Sequence, residues 1–238
     1  MIGQQIREPE FDRFAASYRD MHNASIALTG ETGEYFAEYK SKFMAAELAT
    51  NTSQTILDFG CGIGLLSGQL KRQMPASRID GFDVSAASLR EVAPELRGQG
   101  VFTTDLRELA PEYDAVVVAN VLHHVGPKDR QQTVATAAAR LKPGGKLVIF
   151  EHNPANPLTR RAVNQCAFDR DAILARPSEI RGYVAQCGLS GIAVRYIVFF
   201  PRFLRALRFL EPGLSWCPAG AQYVIVGTRK SGARLAAA

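Results

Sequence analysis

The sequence predicts an α/β fold, a parallel sheet covered by helices on both faces, and three observations carry that reading. From residue 55 onward, short apolar runs alternate with amphipathic stretches of helical period. The first run ends in Asp58 and is followed by glycines at 60, 62 and 64. The next runs close on Asp83, Asp105 and Asn120, so four adjacent strand ends carry polar groups. A βαβα order places its crossover helices on both faces of the sheet, which is why the strands read as short, continuously apolar segments. With 238 residues, 47% hydrophobic and 21% charged, the chain suits one decorated domain over 1–238 better than two independent ones.

Taken in order, the first fifty residues read as helices. Phe11, Phe14, Ala15 and Tyr18 recur at helical spacing, and so do Phe36, Tyr39, Phe43 and Met44, with a polar link at 29–33 between them. Strands are expected at 55–59, 78–83, 101–103, 113–120 and 146–151, with helices near 65–73, 86–96 and 130–141. Pro143, Gly144 and Gly145 supply the turn into the fifth strand. After residue 152 a helix follows Leu158, and another covers 179–187 with Ser178 as its cap and Gly188 as its stop. Strands at 192–199 and 222–228, joined by a short helix over 201–210, point to an antiparallel edge. The expected division is therefore a helical cap over 1–54, a binding core over 55–152 and substrate-side elements with the late strands over 153–238.

Composition narrows the class. Cys61, Cys166, Cys187 and Cys217 form no Cys-x-x-Cys pair and no zinc-finger spacing with the histidines, so neither a disulfide framework nor a structural metal is indicated. A charge of +5, from 28 basic against 23 acidic residues, permits an anionic partner without marking a dedicated nucleic-acid binder. No apolar run reaches the roughly 18 residues of a spanning helix, and the first ten residues lack a basic-then-apolar signal pattern, so a cytoplasmic protein is expected. The Ala-rich end at 235–238 is expected to fray.

The chemistry sits at the strand ends. Glycines 60, 62 and 64 allow a sharp turn and leave no Cβ between the backbone and a ligand, while the first N–H groups of the next helix face the same space. Asp83 follows Gly64 by nineteen residues, close to the step at which a carboxylate accepts from a ribose diol. It also suits the cap of a helix starting near Ser85, and the two roles are compatible. Asp105 can accept from an adenine amino group or simply form a turn.

In Leu57-Asp-Phe-Gly-Cys-Gly-Ile-Gly64, Gly81-Phe-Asp-Val84, Asp105-Leu106, Asn120-Val-Leu-His-His124 and Leu141-Lys-Pro-Gly-Gly-Lys-Leu147, the chain resembles the class I S-adenosylmethionine-dependent methyltransferases. The likeness covers about residues 55–152 and is strongest to the small-molecule branch that includes quinone-biosynthesis enzymes. It implies a Rossmann-like seven-stranded sheet with an antiparallel last strand, and S-adenosylmethionine as cofactor. It places Gly60, Cys61 and Gly62 at the methionine part, Asp83 at the ribose, Val84 on the adenine face and Asp105 with Leu106 at the adenine edge. Asn120 falls near the methionine part, and Asp58 orients the turn or meets the methionine amino group through water. Tyr18 and Lys40 are candidates to close over the cofactor, or are plain surface and core residues.

Methyl transfer is an in-line displacement whose leaving group needs no acid, so orientation and exclusion of water are the main contributions. A base is needed only where the acceptor loses a proton. His123, His124 and His152 are the candidates, with His124 preferred inward over His123, and with Glu151 as orienter or alternative base. No spacing suggests a metal, so the transfer is expected to be metal-independent. The Asp/Asn-Pro-Pro-Tyr/Phe motif of enzymes that methylate base amino groups is absent after the fourth strand, so no nucleic-acid acceptor is expected. Asn153-Pro-Ala-Asn-Pro157 reads as a rigid loop beside the acceptor pocket.

In 199–210, Arg202, Arg205 and Arg208 lie along one helical face, with Phe203, Leu204, Leu207 and Leu210 opposite. Such a helix ordinarily packs its apolar face on the core. The other reading is peripheral contact with an anionic membrane, or a grip on a phosphorylated substrate. The expected function is methyl transfer to an oxygen of a small metabolite, lipid or sugar. An NAD(P)-dependent oxidoreductase and a non-catalytic sensor that binds S-adenosylmethionine are the alternatives.

Overall fold

A computed structural model describes residues 26, 29–48, 52–166, 169 and 171–231. The helix expected around Phe11 to Tyr18, the role of Tyr18 and the Ala-rich end lie outside these residues. Helix α1 (Gly33–Leu48) leads into β1 (Thr55–Phe59), α2 (Leu65–Gln73), β2 (Arg78–Phe82), α3 (Ala86–Arg90), α4 (Pro94–Arg97) and β3 (Phe102–Thr103). A 3-10 turn at Leu106–Glu108 precedes β4 (Tyr113–Ala119), α5 (Arg130–Ala139) and β5 (Leu141–His152). The chain continues through α6 (Pro157–Gln165), α7 (Pro177–Gln186), β6 (Ser190–Ile197), a 3-10 segment at Arg202–Leu214 and β7 (Gln222–Thr228).

The seven strands form one sheet in the order β3-β2-β1-β4-β5-β7-β6. The first five pair in parallel, and β7 runs antiparallel to both β5 and β6. The pleat sends alternate side chains to two separate cores. Leu57, Val116, Val118, Leu147, Ile149, Tyr223 and Ile225 pack on one face with Val134 of α5 and Ile180 and Val184 of α7. Ile56, Ala115, Val117, Val148, Phe150, Val224 and Val226 face the other way, against Phe36 and Met44 of α1 and Leu66 and Leu70 of α2. Both faces are covered, as a parallel sheet requires.

Several local expectations shift for identifiable reasons. The single helix expected over 86–96 breaks into α3 and α4, because Pro94 biases Ala93 to extended dihedrals (φ −52°, ψ 134°) and starts a new turn. Pro177 takes the first position of α7, so Arg176 rather than Ser178 occupies the cap. The turn expected at Pro143 to Gly145 is a bulge within β5, where the pairing passes from Tyr113 with Leu141 to Ala115 with Lys146. None of the four cysteines forms a disulfide. No helix among the described residues is long and apolar enough to cross a membrane.

Two glycines set the tolerance of the scaffold in opposite ways. A Cβ on Gly100 would lie 1.9 Å from the carbonyl oxygen of Ile79, whereas one on Gly182, inside α7, would meet nothing within 4 Å. Gly100→Ala should therefore cost about 3 kcal/mol or more through forced backbone movement. Gly182→Ala should add about 0.5–1 kcal/mol from helix propensity. Urea unfolding of both variants against the parent checks the sign of each.

Candidate active site

Strand order reverses between β1 and β4, and a parallel sheet opens a crevice at the carboxyl ends of such strands. A cavity of about 680 Å³ lies there, bounded by Asp58 to Ile63, Asp83 and Val84, Asn120, Val121, His123 to Val125, His152 and Asp169. Lys40 and Phe36 of α1 and Phe199 to Pro201 close its other walls. Size and position suit a nucleotide-sized ligand.

The glycine turn is pinned from below. The N–H groups of Gly60 and Cys61 both donate to the Phe82 carbonyl, at 2.7 and 3.0 Å, which ties the end of β1 to the end of β2. Gly60 (φ +83°) lies so close to the segment after β4 that a Cβ would approach Val121 Cγ2 to 2.4 Å. Gly62 (φ +52°) faces open space, with nothing within 4 Å of a built Cβ. The turn thus presents an open, main-chain-lined cradle to the cavity.

Asp83 accepts from the Gly62 N–H at 2.7 Å and from the Ser85 N–H at 2.8 Å, one bond on each carboxylate oxygen. The helix cap itself belongs to Ser85, whose hydroxyl accepts from the Ser88 N–H. Beneath the turn, Asp58 is buried and accepts from Ser67 Oγ at 2.7 Å. Burial, reinforced by the Asp83 charge, pushes its pKa up to about 6 against the opposing Ser67 bond and Lys40 charge. Burial, with Asp58 and Asp83, likewise raises the Cys61 thiol.

Val84 is 61% exposed on the cavity wall, an apolar surface open to a flat ring. Leu106 lines the same wall. Asp105 is turned outward instead: Arg107 donates to both of its oxygens at 2.6–3.0 Å, and Asp105 is not among the lining residues.

At the end of β4, Asn120 sits in the left-handed region (φ +58°), which turns its side chain into the cavity. Lys40 Nζ donates to Asn120 Oδ1, and Asn120 Nδ2 lies 2.8 Å from His152 Nε2. An ammonium only donates, so the amide oxygen must face Lys40 and the NH2 group must face His152. His152 Nε2 is therefore the acceptor, and its proton sits on Nδ1. Burial and the nearby His123 charge hold this imidazole neutral, with a pKa lowered to about 3. Burial also lowers the Lys40 pKa, to about 8.

A second network lies beneath. Glu151, fully buried, accepts from the Leu122 N–H at 2.7 Å and pairs with His123 Nδ1 at 2.7 Å. The other nitrogen of His123 is 3.6 Å from Asp169 Oδ1, which is itself 3.2 Å from His124 Nε2. Burial alone would lower the His123 pKa; the Glu151 charge and the Asp169 contact reverse this, so His123 is a buried imidazolium between two carboxylates. Burial and the His123 charge lower the pKa of His124. Glu151 does not line the cavity, whereas His123, His124 and His152 all do. His123, His152 and Asp169 also bring one donor atom each within 4.8 Å of one another, although each already engages a neighbouring protein group.

Three members of this site carry no motif. Asp169 comes from beyond α6, with no periodic or spacing signal to single it out. Arg130, buried, donates to the carbonyls of Leu122, Val125 and Ile173 and to Glu179, so it fastens the His123 segment to α7. Gln222 pairs opposite His152, and its Oε1 is buried on the cavity wall with no hydrogen bond among the described residues.

The Glu151–His123 pair has a defined pH signature. His123 is raised from its ordinary 6.5, so its stabilisation is full below pH 6.5 and lost as pH rises through the raised value. Glu151 is lowered from 4.5, so its stabilisation is full above pH 4.5 and lost as pH falls through the lowered value. Stability from the pair should peak between those two ordinary values and decline on the alkaline side. Glu151→Gln should cost about 3 kcal/mol and flatten that decline, as read from urea midpoints across pH.

Residues 57–147 match a family model described as a methyltransferase domain. The ribosomal RNA small subunit methyltransferase C of Pseudomonas aeruginosa is 30% identical over 180 residues, which are 69% of this chain and 54% of that protein. The chain thus spans about half the length of the curated relatives it matches. Among solved structures, magnesium protoporphyrin IX methyltransferase from Synechocystis with bound SAH superposes with a TM-score of 0.65 at 18% identity, covering 92% of this chain and 97% of that one. An O-methyltransferase family protein from Burkholderia thailandensis gives 0.62 at 19% identity, covering 96% and 65%. Domain match and sheet topology agree, and the chain has the class I fold of the S-adenosylmethionine-dependent methyltransferases, with residues 57–147 as its methyltransferase domain.

Proposed function

We propose that this chain transfers the methyl group of S-adenosylmethionine to an oxygen of a small metabolite, lipid or sugar, without a metal, and that 1–238 acts as one domain. One observation carries the reading: a single cavity joins the Gly60 to Asp83 cradle on one side to Asn120, His124 and His152 on the other. When bound, S-adenosylmethionine supplies a carbon activated by a sulfonium, whose departure as a thioether needs no protonation.

The chain's own groups then divide the work. Asp83 accepts from the ribose hydroxyls, Val84 covers the adenine face, and Leu106 bounds its edge. Arg107 holds both oxygens of Asp105, which makes that residue an outer support for Leu106. Asn120 and Lys40 bound the methionine end. Asn153, whose amide donates to the carbonyls of Pro218 and Gly220, stiffens the loop on the acceptor side. Gln222 Oε1 offers an acceptor atom to a substrate hydroxyl.

Of the histidines, His123 carries a proton already, and His152 has committed its lone pair to Asn120. His124 lines the cavity with its Nε2 3.2 Å from Asp169 Oδ1, so we assign it as the general base, with the Asp169 carboxylate beside it. A ribosomal RNA acceptor is the second reading, favoured by the relatives named above.

Titration calorimetry should show binding of S-adenosylhomocysteine and none of NAD; the reverse result would sink the proposal. Acceptors of each class, ribosomal RNA included, would then be screened for a mass gain of one methyl. With the acceptor found, His124→Ala should lower kcat by about 10²–10⁴ with little change in S-adenosylhomocysteine affinity. Since the His124 pKa lies below its ordinary 6.5, the parent's rate should hold through pH 6.5 and fall only on the acid side. An unchanged rate in His124→Ala removes this base from the mechanism.

A further inference from the structure

The segment Arg202–Leu214 and the turn after it are built inside out. Six of the nine large apolar side chains exposed among the described residues fall within 203–216, with Phe203, Phe209 and Trp216 at 78%, 76% and 75% exposure. What the segment turns inward is polar. Glu211 is buried, accepting from the N–H groups of Phe199 and Phe200 at 3.1 and 3.2 Å and from Tyr39 Oη at 3.1 Å. Arg208 donates to the Phe200 carbonyl and to Glu31, and its guanidinium sits 4.4 Å from the centre of the Tyr35 ring. The core packing expected for Phe203, Leu204, Leu207 and Leu210 is therefore reversed.

Apolar side chains gathered in water mark a surface made for a partner. Two features say which partner. Arg202 and Arg205 are exposed among the aromatic groups, in a chain of net charge +5. The apolar wall of the cavity, through Phe199, Phe200, Pro201 and Phe203, opens onto the same surface. Aromatic and leucine side chains flanked by arginine bind where acyl chains and anionic headgroups meet. A two-fold contact between copies of this chain would instead bring two faces of the same cationic character together.

We propose that residues 202–216 seat the protein on an anionic lipid bilayer with the cavity mouth facing the membrane. Resting on the methyl-transfer reading, this makes the acceptor lipid-borne, an apolar molecule that reaches the cavity without crossing water.

Trp216 is the single tryptophan and reports on the surface directly. The full chain would be mixed with phosphatidylcholine vesicles, with or without phosphatidylglycerol, while its emission and co-sedimentation are followed. Expected are a blue shift and pelleting with the anionic vesicles, weakened by salt. Phe209→Ser/Leu210→Ser and Arg202→Glu/Arg205→Glu should each weaken binding at least tenfold while circular dichroism and S-adenosylhomocysteine binding stay as in the parent. Failure of S-adenosylhomocysteine to bind the parent would refute the methyltransferase reading and leave the vesicle result standing. Unchanged Trp216 emission with both vesicles, or equal binding by the variants, would overturn the proposal. So would a lipid-free dimer by light scattering that Phe209→Ser/Leu210→Ser dissociates.

Discussion

Glu151 carries a carboxylate to the end of a strand flanked on both sides, where no water reaches it and only protein groups can compensate it. That requirement dictates much of what surrounds it. Its two oxygens take the Leu122 N–H and His123 Nδ1, so the segment after β4 is held by the end of β5. His123, made cationic by this contact, brings Asp169 in from the far side of α6, and Asp169 in turn fixes His124. Buried charges are tolerable only when compensated, and here each charge lies beside one of opposite sign, with Asp169 Oδ1 meeting the histidines by proximity rather than by a hydrogen bond.

A second compensated network occupies the other face of the sheet. Lys40 descends from α1 to Asn120, with its ammonium 5.9 Å from the centre of the Phe150 ring, and its charge moderates that of Asp58. Between them, the networks fix the protonation of three histidines by different means. His123 is charged by its carboxylates, His152 is kept neutral by an amide whose orientation Lys40 enforces, and His124 lies between these extremes. Three chemically identical side chains are thus assigned three roles by their neighbours.

The half of the cavity around the glycine turn was legible in the sequence because it is local. Gly60, Gly62, Asp83, Val84 and Asn120 act through strand ends and tight turns, whose residue requirements follow from backbone geometry alone. The late antiparallel pair was readable for the same reason, as periodicity and turn residues announce it, whereas the order of the strands within the sheet was not. The opposite half was less so. Asp169, Arg130 and Gln222 matter through contacts across long sequence separations, and nothing in their neighbourhoods distinguishes them from ordinary polar residues. Asp105 is a strand-end aspartate in the expected place whose carboxylate meets Arg107 two residues on, a local contact that its position did not announce. In 202–214 the periodicity was legible and its direction was not, because a pattern of apolar and basic residues does not say which face turns inward until Glu211 and Arg208 have found their partners.

The antiparallel register of β5 with β7 runs without interruption from Lys146 and Thr228 to His152 and Gln222. Along it, odd-numbered residues of β5 go to the core of α5 and α7, and even-numbered ones to the core of α1 and α2. Glu151 and His152 are neighbours in this alternation, one interior and one at the cavity. A slip of one residue would exchange them, delivering a carboxylate to Asn120 and an imidazole to Leu122. The chemical identity of the pocket floor is therefore a matter of parity, an odd or even count along a single strand, set as far away as the bulge at Pro143.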